Sequence, residues 1–379
     1  MNTNWRKKLA LTTASRQLFT RSNDEVFHNW NHILTHLRHI SDRSVEVGHH
    51  NITAIADENK VYAHLDGVDA EYTTGMNDWS FTQLTKQTGV RGAKGTLNSV
   101  EPQTSADAIN QLLQKTKGNL NKGVALIHLP EMQDPDIPTT RAFYSNRYER
   151  VSDLEVFSHF HSLSEQFGYE PAGGFAGKRG GLPPVNPEAS GLYRGDRSSF
   201  GFVCNEQGKI DIDNSSLYHA VMWGNSEVGR ETLWFQDVLY DFICGNHMIW
   251  GPKRVRKVKH KHTGNVRDVL RKSTTMFQEV DLERDERREA VATIHNTAIR
   301  TQFANTRELI QSKLAPHMTK KDASGVLPFL DHPSAYPKNP TSYWGVSSAI
   351  TLYSQTKDFT DERLALDTVA GNMVQSLAE

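Results

Sequence analysis

Gly123-Val124-Ala125-Leu126-Ile127-His128-Leu129 and, across a loop rich in Pro and Asp, Arg141-Ala142-Phe143-Tyr144-Ser145 decide the fold class of this 379-residue chain. Each is a short apolar run with β-branched or aromatic residues bounded by turn formers, the pattern of a buried strand. Together they predict a paired sheet. Upstream, Asn51 to Ala56 and Lys60 to Leu65 flank the turn residues Asp57-Glu58-Asn59 and predict a hairpin. Downstream, Val156, Phe157, Phe160, Leu163 and Phe167 recur at helical spacing. Phe200-Gly201-Phe202-Val203 and Ala220-Val221-Met222-Trp223 read as further strands, with Asp211 and Asp213 in the turn region between them.

Helical patterns surround these strands. Phe27, Trp30, Leu34, Leu37 and Ile40 predict a helix near the start, capped by Ser22 or Asn23. Trp79, Phe81 and Leu84, then Ala106, Ile109, Leu112 and Leu113, predict two more around the basic, Gly-rich stretch 89–95. Leu282 to Lys313 carries helical spacing with i,i+4 charge pairs, and Val346, Ala349, Ile350 and Tyr353 begin a last helical region that Leu364, Leu366, Val369 and Met373 continue. The sum is an α+β protein: a mixed β-sheet core over roughly 120 to 265, packed helices and a helical C-terminal part. The expected division is 1–65, an N-terminal helix and hairpin lead; 66–275, an α+β core domain; and 276–379, a helical C-terminal region.

Composition excludes several classes. Lys and Arg number 43 against 44 Asp and Glu, so affinity for a polyanion has to come from local patches. Two cysteines, Cys204 and Cys244, exclude a disulfide framework and fit a reducing compartment. No apolar run approaches the roughly 20 residues that span a bilayer, and the basic start lacks an apolar segment behind it, so the expectation is a cytoplasmic protein with no membrane partner.

Four features bear on chemistry. Gly173-Gly174-Phe175-Ala176-Gly177-Lys178-Arg179 has Ala172 where a phosphate-binding loop needs its first Gly, and Arg179 where it needs Ser or Thr. A nucleotide hydrolase of that kind is excluded, and Lys178 reads as part of a basic loop. His28, His32 and His36, followed by His39, form a stripe that reads either as a metal face or as a solvated flank. Lys253-Arg254-Val255-Arg256-Lys257-Val258-Lys259-His260-Lys261 holds no acid and reads as a phosphate-tracking segment or as an edge strand guarded by lysines. Cys244, His247, His260 and His262, spaced C-x2-H-x12-H-x-H, would close a zinc site if a hairpin joined the two ends.

Several blocks taken together resemble the phage and plasmid family catalogued as domain of unknown function 932. They are Phe81-Thr82-Gln83-Leu84; Arg141 through Tyr148; Asn225-Ser226-Glu227-Val228-Gly229; Cys244-Gly245-Asn246 with His262-Thr263-Gly264; and Tyr343 through Thr351. The resemblance runs over roughly 65 to 375 and is most specific at Asn225, Ser226, Glu227 and Gly229. His247 stands where the family has Gly. The resemblance implies a mobile-element setting, beside replication, recombination or anti-restriction genes, and no biochemistry.

Three functions are consistent with these residues. The first is a DNA-metabolism protein of the single-strand annealing or recombination type, binding nucleic acid without turnover. Lys253, Arg254, Arg256, Lys257, Lys259, Lys261, Arg141, Arg147 and Lys178 would contact phosphates, while Tyr148, with Tyr144, Trp223 and Trp250, would stack bases. Single-stranded DNA is its favoured partner, with host or phage replication and recombination proteins and a homo-oligomer as further partners. The second is a metal-dependent hydrolase or nuclease, with zinc on the Cys/His set or magnesium on Asp211, Asp213 and Glu227. The third is an anti-defence protein that binds a host factor. The first reading requires no cofactor.

Overall fold

The computed structural model describes residues 25–116, 123–131, 137–171, 191–212, 215–241, 249–250, 257–263, 267–282, 292–293, 296–301, 305, 317–330, 341–354, 356–357 and 360–376. Its first half is a five-stranded closed barrel. Strands β2 (Ser44–Ala56), β3 (Val61–Gly67) and β4 (Glu71–Met76) form an antiparallel meander. β5 (Gly123–His128) pairs with β2 and with β6 (Thr139–Ser145), and β6 closes the ring by a short parallel pairing with β4. The expected hairpin and the expected pair are therefore parts of one barrel. Because β3 runs through residue 65, the boundary expected at 65/66 falls inside a strand bonded on both sides, so the lead and the start of the core domain are one unit.

Ile52, Ala54, Ala63, Leu65, Ile127 and Phe143 fill the barrel core together with Phe81 and Leu84 from helix α2 (Asp78–Gln87). α2 starts with a capping box in which Asn77 and Ser80 satisfy each other's backbone amides. Past the short helix α3 (Ala93–Leu97), helix α4 (Pro102–Thr116) lies on β2 and β3. There Asn110 accepts from the Ala54 amide and donates to the Ala54 carbonyl, both at 2.8 Å, where β2 has run beyond its pairing with β5. A side-chain amide thus continues a backbone ladder.

The second half is an antiparallel sheet in the order β1 (Glu25–Phe27), β8 (Leu192–Arg194), β9 (Ser199–Ile212), β10 (Ser215–Asn225), β11 (Leu233–Asp241), β12 (Ile249–Trp250). β7 (Tyr169–Pro171) pairs with β9, and β13 (Lys257–His260) pairs with β11. Helices α1 (Trp30–Asp42), α5 (Asp153–Phe167) and α6 (Asp268–Leu282) contribute to the apolar core built on β9, β10 and β11. Its centre is Trp223, fully buried and stacked with Phe160 at 4.2 Å and Trp30 at 5.8 Å. Gly201 on β9 lies so close to Trp223 that an added Cβ would overlap the indole, so only glycine leaves room for the ring there. Such stacking contributes about 0.5–1.5 kcal/mol per pair beyond area burial.

The fold is α+β. In its described pairs the sheet is antiparallel, so the mixed sense of the core comes from the single β4–β6 pairing. The first helix starts later than expected: Asn29 caps it by accepting from the His32 amide, and Phe27 belongs to β1. Beyond Leu282 most of the helix expected to Lys313 lies outside the described residues. Toward the C-terminus, α7 (Lys320–Val326), α8 (Tyr343–Ser354) and α9 (Thr360–Gln375) share a core of Val346, Ile350, Leu366 and Ala370, and α9 packs against β12.

Candidate functional site

β10 ends at Asn225, and Ser226 to Gly229 form the turn that follows it, closed by the Gly229 amide donating to the Ser226 carbonyl at 3.1 Å. Gly229 sits at φ +77°, in the left-handed region. This turn plugs into the outer wall of the barrel. Trp79 and Gln83 of α2 donate to the Val228 carbonyl at 2.7 and 3.2 Å, Tyr148 donates to the Ser226 carbonyl at 2.7 Å, and Tyr144 donates to the Glu227 carbonyl. Asn225 donates to the Val151 carbonyl and to Asp153, each at 2.9 Å, fixing the turn to the start of α5.

Glu227, 4 % exposed, takes Arg141 on one oxygen at 3.1 Å and Arg150 on the other at 2.8 and 3.1 Å. Arg150 also reaches Glu46 on β2 at 3.0 Å. Burial would raise the Glu227 carboxyl, but Arg141, Arg150 and Arg194 outweigh it and hold it at about 2. Asp153 goes the other way: burial, then the Glu227 charge beside it, pushes it up to about 7. Arg141 reaches Glu227 because of a register shift. Leu126 pairs with Ala142 while Ile127 pairs with Thr140, so Arg141 is the extra residue of a β-bulge. The bulge brings Arg141 to the same turn that Ala142 meets through Val228.

At one mouth of the barrel lies a cleft of about 770 Å³. α1 supplies His36 and His39, with Arg43 at its C-terminal cap; Lys60 and Tyr62 come from the head of β3, His128 from the end of β5, Arg141 from β6, and Arg194 from β8. Asp57 shapes the β3 side of the rim: it accepts from the Asn59 and Lys60 amides at 2.8 Å and from the Tyr62 hydroxyl at 2.6 Å. Those bonds hold Asp57 below its usual range, the tyrosine first, and the carboxylate pushes Tyr62 up to about 12. Four permanent cations and two acids, Glu131 and Asp196, line the cleft; Arg43 pairs with Glu131 at 3.1 Å, and Arg141 and Arg194 face the buried Glu227 and Asp153 at 3.1 and 3.9 Å. His128 registers this setting: burial first, then Arg141, Arg194 and Arg43, depress it to about 4. Arg141 and Arg194, 7 and 8 % exposed, sit deep in the cleft, while Lys60 stands exposed on the rim. The arrangement can hold an anion at the bottom of a barrel mouth and a ring against Tyr62.

A family model described as domain of unknown function (DUF932) matches residues 142–356. The chain belongs to that family. No curated protein and no solved structure matches it. The DUF932 match starts one residue past Arg141, so the Asn225–Gly229 turn lies within it. Apart from Arg194 and Asp196, the cleft residues lie upstream of it.

Against this geometry, Asn225, Ser226 and Glu227 of the DUF932 block are a buried tie between sheet and barrel, and Gly229 is the exposed end of the same turn. Glu227 is not an open magnesium ligand, since two guanidinium groups occupy its carboxylate. Arg141 is no surface phosphate contact; Arg147 is exposed, on the segment between β6 and α5. Tyr148 stacks between Tyr144 at 4.5 Å and His262 at 4.9 Å, and Trp223 is core, so none of these rings is an open platform. His262 is buried in that stack, with Nδ1 3.2 Å from the Glu149 carbonyl. Among the described residues no group of three or more His, Cys, Asp or Glu is placed to hold a metal ion.

Lys257 and Lys259 lie on β13, whose Val258 packs on the core, and Lys261 is exposed just after it. Lys178, Cys244, Asn246, His247, Lys253, Arg254, Arg256 and Asp213 lie outside the described residues, as do the side chains of Asp211, Trp250 and His260. The sequence reading missed Arg43, Lys60, His128 and Arg194. His128 lies in the apolar run 123–129, and a single polar residue at a strand end carries no signal until the barrel closes around it.

Proposed function

We propose that this DUF932 protein is a nucleic-acid-binding protein of phage or mobile-element DNA metabolism, acting in a bacterial cytoplasm and holding a single strand without turnover. The observation that carries the reading is the cationic barrel-mouth cleft, where Arg141 and Arg194 lie deep and Arg43 and Lys60 line the approach. Proteins that hold single strands combine cations that neutralise phosphate with a ring on which a base stacks, and Tyr62 supplies such a ring at the rim. The run Lys253–Lys261 adds a second basic segment in the sequence. The hydrolase reading loses its glutamate to the ion pairs of Glu227.

Fluorescence anisotropy with labelled single- and double-stranded oligonucleotides at several salt concentrations tests this. The wild type is expected to prefer the single strand and to weaken steeply with salt, and the Arg43→Gln/Lys60→Gln pair to bind less tightly with a shallower salt slope. A second variant with Lys253, Arg254, Arg256 and Lys257 changed to Ala reports the share of the basic run. Absence of binding at low salt refutes the reading.

A further inference from the structure

We propose that the deep end of the barrel-mouth cleft is a receptor for a phosphomonoester, namely the terminal phosphate of a nucleic-acid strand, held by Arg141, Arg194 and His128. The inference rests on the nucleic-acid reading above and narrows it from a strand to a strand end.

The depth of the two arginines is the first ground. A backbone that passes through an open groove meets exposed lysines along its length, whereas guanidinium groups only 7 and 8 % exposed at the bottom of a pocket are reached by a group at the end of a chain. Donor supply is the second. Of the five N–H donors of Arg141, one makes a hydrogen bond among the described residues, the bond to Glu227, and Arg141 is one of the residues lining the cleft. The Nδ1 atom of His128 is buried and has no hydrogen-bond partner among the described residues.

Charge is the third ground. A phosphomonoester carries close to two negative charges near neutral pH, and planar guanidinium forks match its oxygens better than point charges do. The fourth is size: about 770 Å³ exceeds what a phosphate ion fills and leaves room for the attached nucleotide beside Tyr62.

The test compares oligonucleotides of one sequence carrying a 5′-phosphate, a 3′-phosphate or no terminal phosphate, with a nucleoside monophosphate and inorganic phosphate as further probes. One terminal phosphate is expected to tighten binding about tenfold or more, the scale of a charge-assisted contact. The free monophosphate is expected to compete. His128→Asn, which leaves the Arg141–Glu227 pair in place, is expected to remove most of that gain, with its fold checked by thermal melting.

Equal affinity for phosphorylated and unphosphorylated strands would overturn the terminal-phosphate inference and leave the nucleic-acid reading standing. Binding of the monophosphate and phosphate without any oligonucleotide would uphold the receptor and overturn the strand as its source. No binding of any probe overturns both.

Discussion

Arg141 on the barrel and Glu227 on the turn after β10 are 86 residues apart in sequence and 3.1 Å apart in space, both almost fully buried. The pair joins the two β-structures of the fold, and Arg150 completes it from the segment between β6 and α5. Removing the carboxylate leaves the buried Arg141 guanidinium without its acid and the part-buried Arg150 with Glu46 alone. Glu227→Ala should therefore cost about 3–5 kcal/mol of unfolding free energy, measured by denaturant titration followed by circular dichroism. A loss under about 1 kcal/mol, the range of exposed pairs, would show that the tie is not desolvated.

Gly229 holds the same turn by its backbone. At φ +77° an alanine is strained, and its Cβ would stand 3.4 Å from the Tyr148 ring. Gly229→Ala should destabilise by about 1–2 kcal/mol, with the ordinary cost of the left-handed region as the main part. A thermal melt unchanged from wild type would contradict that backbone angle.

The Asp153 carboxyl gives the tie a pH signature. Its folded value, about 7, lies above the usual 3.8, so the stability it contributes is full below about pH 3.8 and is lost as pH rises through 7. Glu227 works in the opposite sense: held at about 2 against 4.5, its contribution is full above 4.5 and is lost as pH falls through 2. Asp153→Asn, neutral at every pH, should gain stability relative to wild type progressively as pH rises from about 4 to about 7. Parallel pH profiles for the two proteins would mean that Asp153 is ionised throughout.

Much of the fold was legible because strands and helices announce themselves by period: the runs 123–129 and 141–145 and the helix 153–167 all stand where their apolar spacing puts them. Barrel closure was not legible, since a parallel pairing between β4 and β6 leaves no local mark. The bulge at Arg141 was invisible for a sharper reason. Strict alternation cannot show that one residue is extra, so an arginine on a strand reads as a surface cation when it is a buried ion-pair partner. The cleft gathers residues from α1, β3, β5, β6 and β8, and no spacing rule connects such distant single positions.

His128 is the probe of that cleft. Depressed to about 4 by burial and three arginines, it is neutral at pH 7, and the stability linked to it is full above about 6.5 and lost as pH falls through 4. Its imidazole resonance should titrate near pH 4 in the free protein and shift upward when an anion fills the cleft. Titration near 6.5 in the free protein would mean that neither burial nor the arginines bear on the ring.

The parallel closure of the barrel also bears on synthesis. A nascent chain that has reached Met76 holds a three-stranded meander with both outer strands open, and nothing can seal them until β5 and β6 have been made. The intervening α2 and α4 are made before those strands, and Asn110 binds the backbone of Ala54 on the stretch of β2 that β5 does not reach. The order of elements along the chain thus places the helices that cover part of β2 and β3 ahead of the strands that close the ring.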